Sequence, residues 1–394
     1  MKISTDRIIT THVGSLPRPL DLAGQLIARD NGQPVDSAAL DRRVKQSVED
    51  VVKQQLDYDI DVINDGEHSK SSFSAYTAKR MSGFEPWDTP FGHVGASRDR
   101  AEFKAVYEEN AAIYACRPSR IQVTRKHQGY VCTGPLKYIG HEAVKADIDN
   151  MKASLKGRQP HEVFMTALSP NNVALYYGNK YYKDEEEYSY AIADAMREEF
   201  KAIVDAGFVL QIDDPRFATH YDRHPQASIE DCRRVMAKQV EVINYALKGI
   251  PSDRVRFHTC YSTNVAPRVN DLELKHYVDL MLRINADGYT FEGANPRHDH
   301  EWAIFRDVKV PEHKILIPGV ISHCVQLVEH PELVAQRIER YASVVGRERV
   351  LASNDCGFAT AGAHDEVHPQ VAWAKMKAMV EGARIATKRL WGKS

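Results

Sequence analysis

The sequence predicts an α/β chain closed into a (β/α)8 TIM barrel. Short apolar, β-branched runs alternate with amphipathic helical stretches, the pattern of βα units on a parallel sheet. Eight such runs are spread from one end to the other. No low-complexity tract or Pro/Gly/Ser-rich linker divides the 394 residues, so one unit over 1–394 is expected. An open doubly wound sheet is the runner-up, but no GxGxxG follows the first run.

The expected strands lie near 11–16, 61–67, 163–169, 209–213, 255–260, 289–292, 315–321 and 350–354. The helices between them carry start and stop signals. One begins at Asp184, with Glu187 at capping-box spacing, buries Ile192, Met196, Phe200 and Ile203, and stops at Gly207. Another starts at Ser228, with Asp231 three residues on, and ends at Gly249 before Pro251. A third runs from Pro331 to Gly346, and the last from Pro369 to Leu390. The stretch 69–160, between strands two and three, is too long for one crossover. It holds a strand-like piece over 121–133 and aromatic residues over 84–87. It is expected to be an insertion that covers part of the barrel mouth.

Composition narrows the partners. Hydrophobic residues make up 43% of the chain, enough for a large core, and formal net charge is −2, from 52 Lys+Arg against 54 Asp+Glu. There is no basic stripe for nucleic acid and no polybasic membrane patch, which leaves a small molecule as the expected partner. No run approaches ~18 apolar residues, so no membrane span is expected. The polar start, MKISTDRIIT, has no signal-peptide core, and the six cysteines are widely spaced. Reduced thiols in a cytoplasmic enzyme are expected rather than a disulfide framework.

His258 and Cys260 stand two apart at the end of the fifth run and so share one face of a strand. An imidazole and a thiol presented together suit Zn2+, which takes N and S ligands in a tetrahedron. An isolated HxC pair is more often a buried Cys beside a surface His. Position strengthens the metal assignment. Glu292 closes the sixth run and Cys356 follows the eighth, and barrel active sites gather at the C-terminal ends of strands. His258, Cys260, Glu292 and Cys356 are therefore the candidate ligands. His298 and His300, with Glu301, form a rival set assigned to polar rim structure. Cys324, beside His323, is an alternative fourth ligand.

Six segments carry a specific resemblance: HVGSLPRP at 12–19, NDGE at 64–67, QIDDP at 211–215, HTC at 258–260, the strand-end Glu292, and NDCG at 354–357. With them the chain resembles the C-terminal catalytic barrel of the cobalamin-independent methionine synthase family, over nearly its whole length. The resemblance implies a zinc-dependent, cytoplasmic S-methyltransferase acting on homocysteine, with methyl-tetrahydrofolate as a donor. It places the zinc on the four candidate ligands and substrate binding on Ser15, Glu67 and Asp213. It also places a catalytic histidine in the loop of His323, although a gapless match puts Cys324 at that position. Two features depart from the longer members of the family. They carry a second barrel, and a tryptophan for the pterin, and neither is found here.

The chemistry is consistent residue by residue. Glu67 and Asp213 end expected strands and offer negative charge to an ammonium. Without the resemblance, Ser15 reads equally well as a helix N-cap and Asp213–Asp214 as a turn before Pro215. His323 is the candidate general acid for the leaving group of the donor. Tyr176, Tyr177, Tyr181 and Tyr182 could stack on a flat donor ring, or form lid packing. The alternative enzyme is an epoxyalkane:coenzyme M transferase, for which Arg18 and Arg216 would meet a sulfonate. A zinc-stabilised structural protein is the non-enzymatic alternative. A homo-oligomer is compatible with all three.

Overall fold

In the computed structural model, residues 1–87, 96–109, 129–261, 263, 266–362 and 367–392 are described. Eight parallel strands form the barrel wall: β1 (Ile9–Thr10), β2 (Val62–Ile63), β3 (Glu162–Leu168), β4 (Val209–Asp213), β5 (Val255–His258), β6 (Gly288–Phe291), β7 (Ile315–Ile321) and β8 (Leu351–Asn354). From β2 to β8 each strand pairs with its sequence neighbour, and β8 pairs with β1, which leaves β1 and β2 as the two ends of the sheet. Hydrogen bonds without a strand ladder join the β1–β2 seam. The Asp61 amide donates to the Thr10 carbonyl at 3.2 Å, and Thr11 Oγ1 to the Val62 carbonyl at 3.1 Å. The wall is thus nearly closed.

Alternation along the strands layers the interior. Ile9, Val62, Phe164, Val209, Ile315, Ile317 and Leu351 come from six strands around the wall and form one buried cluster, which they can do only inside it. One step up, Gln211 and Arg256 are both buried. The next inward positions are Asp213 on β4 and His258 on β5, opposite one another in register. The apolar floor therefore rises through a polar layer to the C-terminal ends of the strands. A larger core joins the outer faces of the strands to the helices.

The helices start and stop where their sequences dictate. Asp184 caps Glu185–Asp205 by accepting from the Glu187 amide. Glu187 itself reaches back to the Lys183 amide, one residue before the cap. Ser228 and Asp231 close a full capping box on Ile229–Ala246. Gly346 ends Pro331–Val345 with φ 90°, and a left-handed Gly392 ends Pro369–Trp391. No helix of the described residues is long and apolar enough to cross a membrane.

The strands are shorter at the mouth than the apolar pattern predicts. The Thr11 amide still donates to the Ala352 carbonyl of β8 at 2.8 Å, and then a side chain takes over, with the Val13 amide donating to Asn354 Oδ1 at 2.8 Å. After Ile63 the chain turns through Gly66 (φ 64°) and Glu67 (φ 59°). These segments are buried, so they read as strand, but their backbone has already left the wall.

Within 69–160, Phe84–Trp87 pairs antiparallel with Gly129–Cys132, which pairs parallel with Gly178–Asn179. Of the strand expected over 121–133, residues 121–128 lie outside the described residues. His141–Ser154 returns to the barrel surface, where the Asp147 carboxylate meets Arg80 at 2.5 Å.

The last two long helices pack closely at Gly382. A Cβ there would stand 2.5 Å from Val334 Cβ and 2.7 Å from the Pro331 carbonyl. Helix propensity alone favours Ala over Gly by about 1 kcal/mol. Overpacking costs about 1–3 kcal/mol and dominates here, because a backbone carbonyl cannot step aside. Gly382→Ala should therefore lower the denaturant midpoint; a raised midpoint would show that the two helices can separate freely.

Candidate active site

A cavity of about 400 Å3 opens at the C-terminal ends of the strands. Ser15, Glu67, Asp213, His258, Cys260 and Cys356 all line it. His258 ends β5, and Cys260 follows on the same face two residues on. Cys356 enters from the turn after β8. Cys356 Sγ lies 3.2 Å from Cys260 Sγ and 3.7 Å from His258 Nε2. One ligand atom from each of the three falls within 4.8 Å of the others, and all three residues are buried. Burial, with Arg256 and His323 nearby, holds the His258 pKa down at about 3. The imidazole is therefore neutral, the form that ligates metals.

Glu292 lies just past β6 but outside that group of three. Its Oε1 accepts from the Tyr261 amide at 2.8 Å and its Oε2 from Asn295 Nδ2 at 2.7 Å. Arg268 Nη2 stands 3.5 Å from the same Oε2. His323 follows β7 and is fully buried. Cys324 is half-buried, with Ser322 Oγ 3.6 Å from its sulfur.

Two carboxylates, Glu67 and Asp213, line the same cavity, Asp213 in register beside His258. Thr166 Oγ1 donates to Glu67 Oε1 at 2.9 Å, while the buried Glu67 Oε2 has no hydrogen-bond partner among the described residues. Burial first, and then the charge of Glu67, push the Asp213 carboxyl well above the usual range. A buried acid whose charge is opposed by a neighbouring carboxylate makes a site for a cation. Ser15 sits beside the thiol loop, where a Cβ on Gly357 would collide with its Oγ, and the Phe358 amide donates to the Ser15 carbonyl at 3.0 Å. Gly357 is the small residue that lets these two loops touch.

Other candidates separate. Of the four tyrosines, Tyr176 lines the cavity, with Arg216 over its ring at 5.1 Å. Tyr177 is buried and donates to the Ser74 carbonyl, Tyr182 accepts from the Leu136 amide, and Tyr181 is exposed. Arg18 is spent on carbonyls: Nε and Nη2 donate to Glu67 O at 3.2 and 2.8 Å, and Nη1 to Ala359 O at 2.6 Å. His298 is not an exposed rim residue. It is buried between Glu301 Oε2 at 3.0 Å and Asp271 Oδ2 at 3.3 Å, with its ring stacked on Tyr261 at 3.9 Å. His300 is exposed. Sequence reasoning missed Thr166, Gln211, Arg256 and Arg268. For Gln211 and Arg256 a signal was present, because each stands two residues before a site residue on the same strand face.

The fold and the site define a class: a (β/α)8 barrel with a buried His/Cys/Cys group beside an acidic pocket at its catalytic end. Comparison with known proteins gives the family. Residues 8–162 and 177–384 match the cobalamin-independent synthase, catalytic domain, and the chain belongs to that family. It is 25% identical over 389 residues to a methionine synthase of Thermococcus kodakarensis, covering 97% of this chain and 94% of that one. It is 24% identical over 384 residues to a methionine synthase of Saccharolobus islandicus, covering 97% and 95%. Among solved structures, a B12-independent methionine synthase from Shewanella sp. W3-18-1, in complex with selenomethionine, has the same fold. Its TM-score is 0.69 at 18% identity, over 98% of this chain and 100% of that one. A putative vitamin-B12 independent methionine synthase from Listeria monocytogenes gives 0.62 at 18%, over 96% and 98%.

The His298 cluster sets a pH dependence. Burial opposes its charge, but the hydrogen bonds it donates to Asp271 and Glu301 outweigh it and raise the pKa from 6.5 to about 9. A raised folded-state pKa stabilises fully below about 6.5, and the gain disappears as pH rises through about 9. At most it is on the order of 3 kcal/mol. Unfolding midpoints of the wild type should fall across that window, and His298→Gln should flatten the fall; equal slopes in both proteins would exclude a charged His298.

Proposed function

We propose that this chain transfers a methyl group to the thiol of homocysteine, beside a Zn2+ ion held by His258, Cys260 and Cys356. The observation that carries this is the lining of one cavity by both a His/Cys/Cys group and a carboxylate pair. The donor set fits the ion. Zinc bonds of ~2.0–2.3 Å in a tetrahedron put ligand atoms roughly 3.3–3.8 Å apart. Cys356 Sγ stands at 3.2 and 3.7 Å from its two neighbours. Glu292 is the proposed weak fourth ligand, one that must leave Asn295 and Tyr261 to bind. Its present engagement suits a position that substrate sulfur can take.

Bound zinc would supply a thiolate at neutral pH from a thiol whose ordinary pKa is near ~8.5. The protein does the rest. Glu67 and Asp213 hold the substrate ammonium and Ser15 its carboxylate, so the sulfur is aimed before it reacts. The sulfur–methyl bond forms as the donor–methyl bond breaks, and the thiol proton leaves. His323 is proposed to protonate the departing donor atom. Methyl-tetrahydrofolate is the donor the family resemblance suggests. Tyr176 and Arg216, on the outer cavity wall, would meet it.

We further propose that 1–394 works as one catalytic unit and that 69–160 covers part of the mouth. Ser97, Arg100 and Tyr107, from the short helical stretch of that segment, line the cavity. Free cysteines suit the reducing cytoplasm. A coenzyme M-type acceptor fits less well. It lacks an ammonium for the two carboxylates, and Arg18 is already committed to backbone carbonyls.

Purified wild type should carry stoichiometric zinc by elemental analysis, and Cys356→Ser should lose most of it. Glu67→Gln should keep the zinc and weaken homocysteine binding about tenfold or more, the loss of a charge-assisted contact. Metal-free wild type, or tighter binding of a sulfonate thiol than of homocysteine, would overturn the assignment.

A further inference from the structure

A buried guanidinium lies one layer beneath the cavity and takes no part in the chemistry described so far. Arg256 is 1% exposed, and it packs over the Phe164 ring at 3.5 Å. Its Nε donates to Gln211 Oε1 at 2.6 Å, its Nη1 to Thr11 Oγ1 at 3.0 Å and its Nη2 to the His12 carbonyl at 2.5 Å. Burial of so large a cation costs several kcal/mol when no carboxylate pairs with it directly. An apolar side chain would fill the same space without that cost.

The consequence of the charge is seen one residue further on. A guanidinium has donors and no acceptor. The end of the Gln211 amide that faces Arg256 must therefore be the oxygen, and the NH2 must point the other way. That NH2 donates to Asp213 Oδ1 at 2.7 Å and to the Val13 carbonyl at 2.5 Å. Asp213 lines the cavity together with Glu67, and Val13 lies in the loop that carries Ser15. Without the cation, the amide could turn over and present its oxygen to Asp213 and to the Val13 carbonyl.

We propose that Arg256 is a positioning residue: it fixes the orientation of the Gln211 amide, and through it aims the Asp213 carboxylate at an ammonium group on the thiol substrate. The chain thereby selects amino-acid thiols over thiols that lack the amino group. This rests on the homocysteine assignment above.

Binding to the zinc-loaded protein tests it, with homocysteine and its des-amino analogue 4-mercaptobutanoate compared by calorimetry. The two thiols share sulfur, chain length and carboxylate, so their affinity ratio isolates the ammonium contact. Wild type should favour homocysteine by about tenfold or more, the worth of one charged hydrogen-bonded contact. Gln211→Glu is the decisive variant. It keeps the shape of Gln211 and gives Arg256 a carboxylate partner, but it turns an oxygen toward Asp213 and the Val13 carbonyl. Its preference for homocysteine should collapse toward unity while 4-mercaptobutanoate binds as in wild type. Arg256→Met should lose the preference likewise, and Arg256→Lys, which keeps one donor for Gln211 Oε1, should restore part of it.

An unchanged ratio in Gln211→Glu would overturn the proposal. So would an equal loss of both ligands, which would mark the layer as mere scaffolding. A wild type with no preference at all, yet with zinc-dependent thiol binding, would instead remove the homocysteine assignment on which the proposal rests.

Discussion

The site depends on one constraint: in a closed barrel every second side chain of a strand points inward and has nowhere else to go. On β4 this puts Val209, Gln211 and Asp213 in a column, and on β5 it puts Arg256 and His258 beside it, with Cys260 continuing past the strand end. The floor can be apolar because its neighbours are apolar. The layer above cannot be, because it must hand over to a cavity that contains charge. Arg256 and Gln211 make that transition. Four hydrogen bonds satisfy polar atoms of β4 and of the loop after β1, where an unsatisfied buried donor or acceptor would cost about 1–3 kcal/mol.

Electrostatics then divides the cavity. On one side burial and neighbouring cations keep the His258 imidazole neutral, which suits a soft ligand set with two thiols. Elsewhere in it burial, and then the charge of Glu67, raise the pKa of Asp213, and no lysine or arginine hydrogen-bonds either carboxylate directly among the described residues; Arg18 Nη2 stands 3.9 Å from Glu67 Oε2. An enzyme that only needed stability would pair or replace these acids. Leaving them to face one another makes sense if the compensating charge arrives with a ligand.

Much of this was legible in the sequence, and the limits have physical causes. The eight strands could be read because inward and outward faces are both buried, giving continuous apolar runs. Their ends could not, because the segments 11–16 and 61–67 stay buried after the backbone has turned out of the wall, with Glu67 itself at φ 59°. His258, Cys260 and Cys356 could be placed together from strand periodicity and the location of barrel sites. Glu292 could be placed at the same rim, but not its partners, since Asn295, Tyr261 and Arg268 reach it through loop geometry that no periodicity encodes. Arg256 was hidden for a different reason. An arginine inside a strand reads as an outward residue unless the alternation set by His258 and Cys260 is extended backwards.

The loops explain why so precise a cluster can sit on irregular backbone. Arg18 donates to carbonyls of the β2 loop and the β8 loop, which ties Glu67 and the chain after Cys356 to the β1 loop. Lys375, on the last helix, holds the Leu327 carbonyl at 2.6 Å and Glu329 Oε2 at 2.7 Å, while Glu329 Oε1 accepts from the Ser322 amide at 2.7 Å. The loop that presents His323 is thus fastened to the outer layer rather than to the site. In both cases a buried cation bonds to carbonyls or carboxylates of the loop, so the loop is held by a cation that does not line the cavity. Because the fastening charges lie outside the cavity, exchange of a ligand inside it need not break them, and the barrel can keep its geometry while the chemistry changes charge.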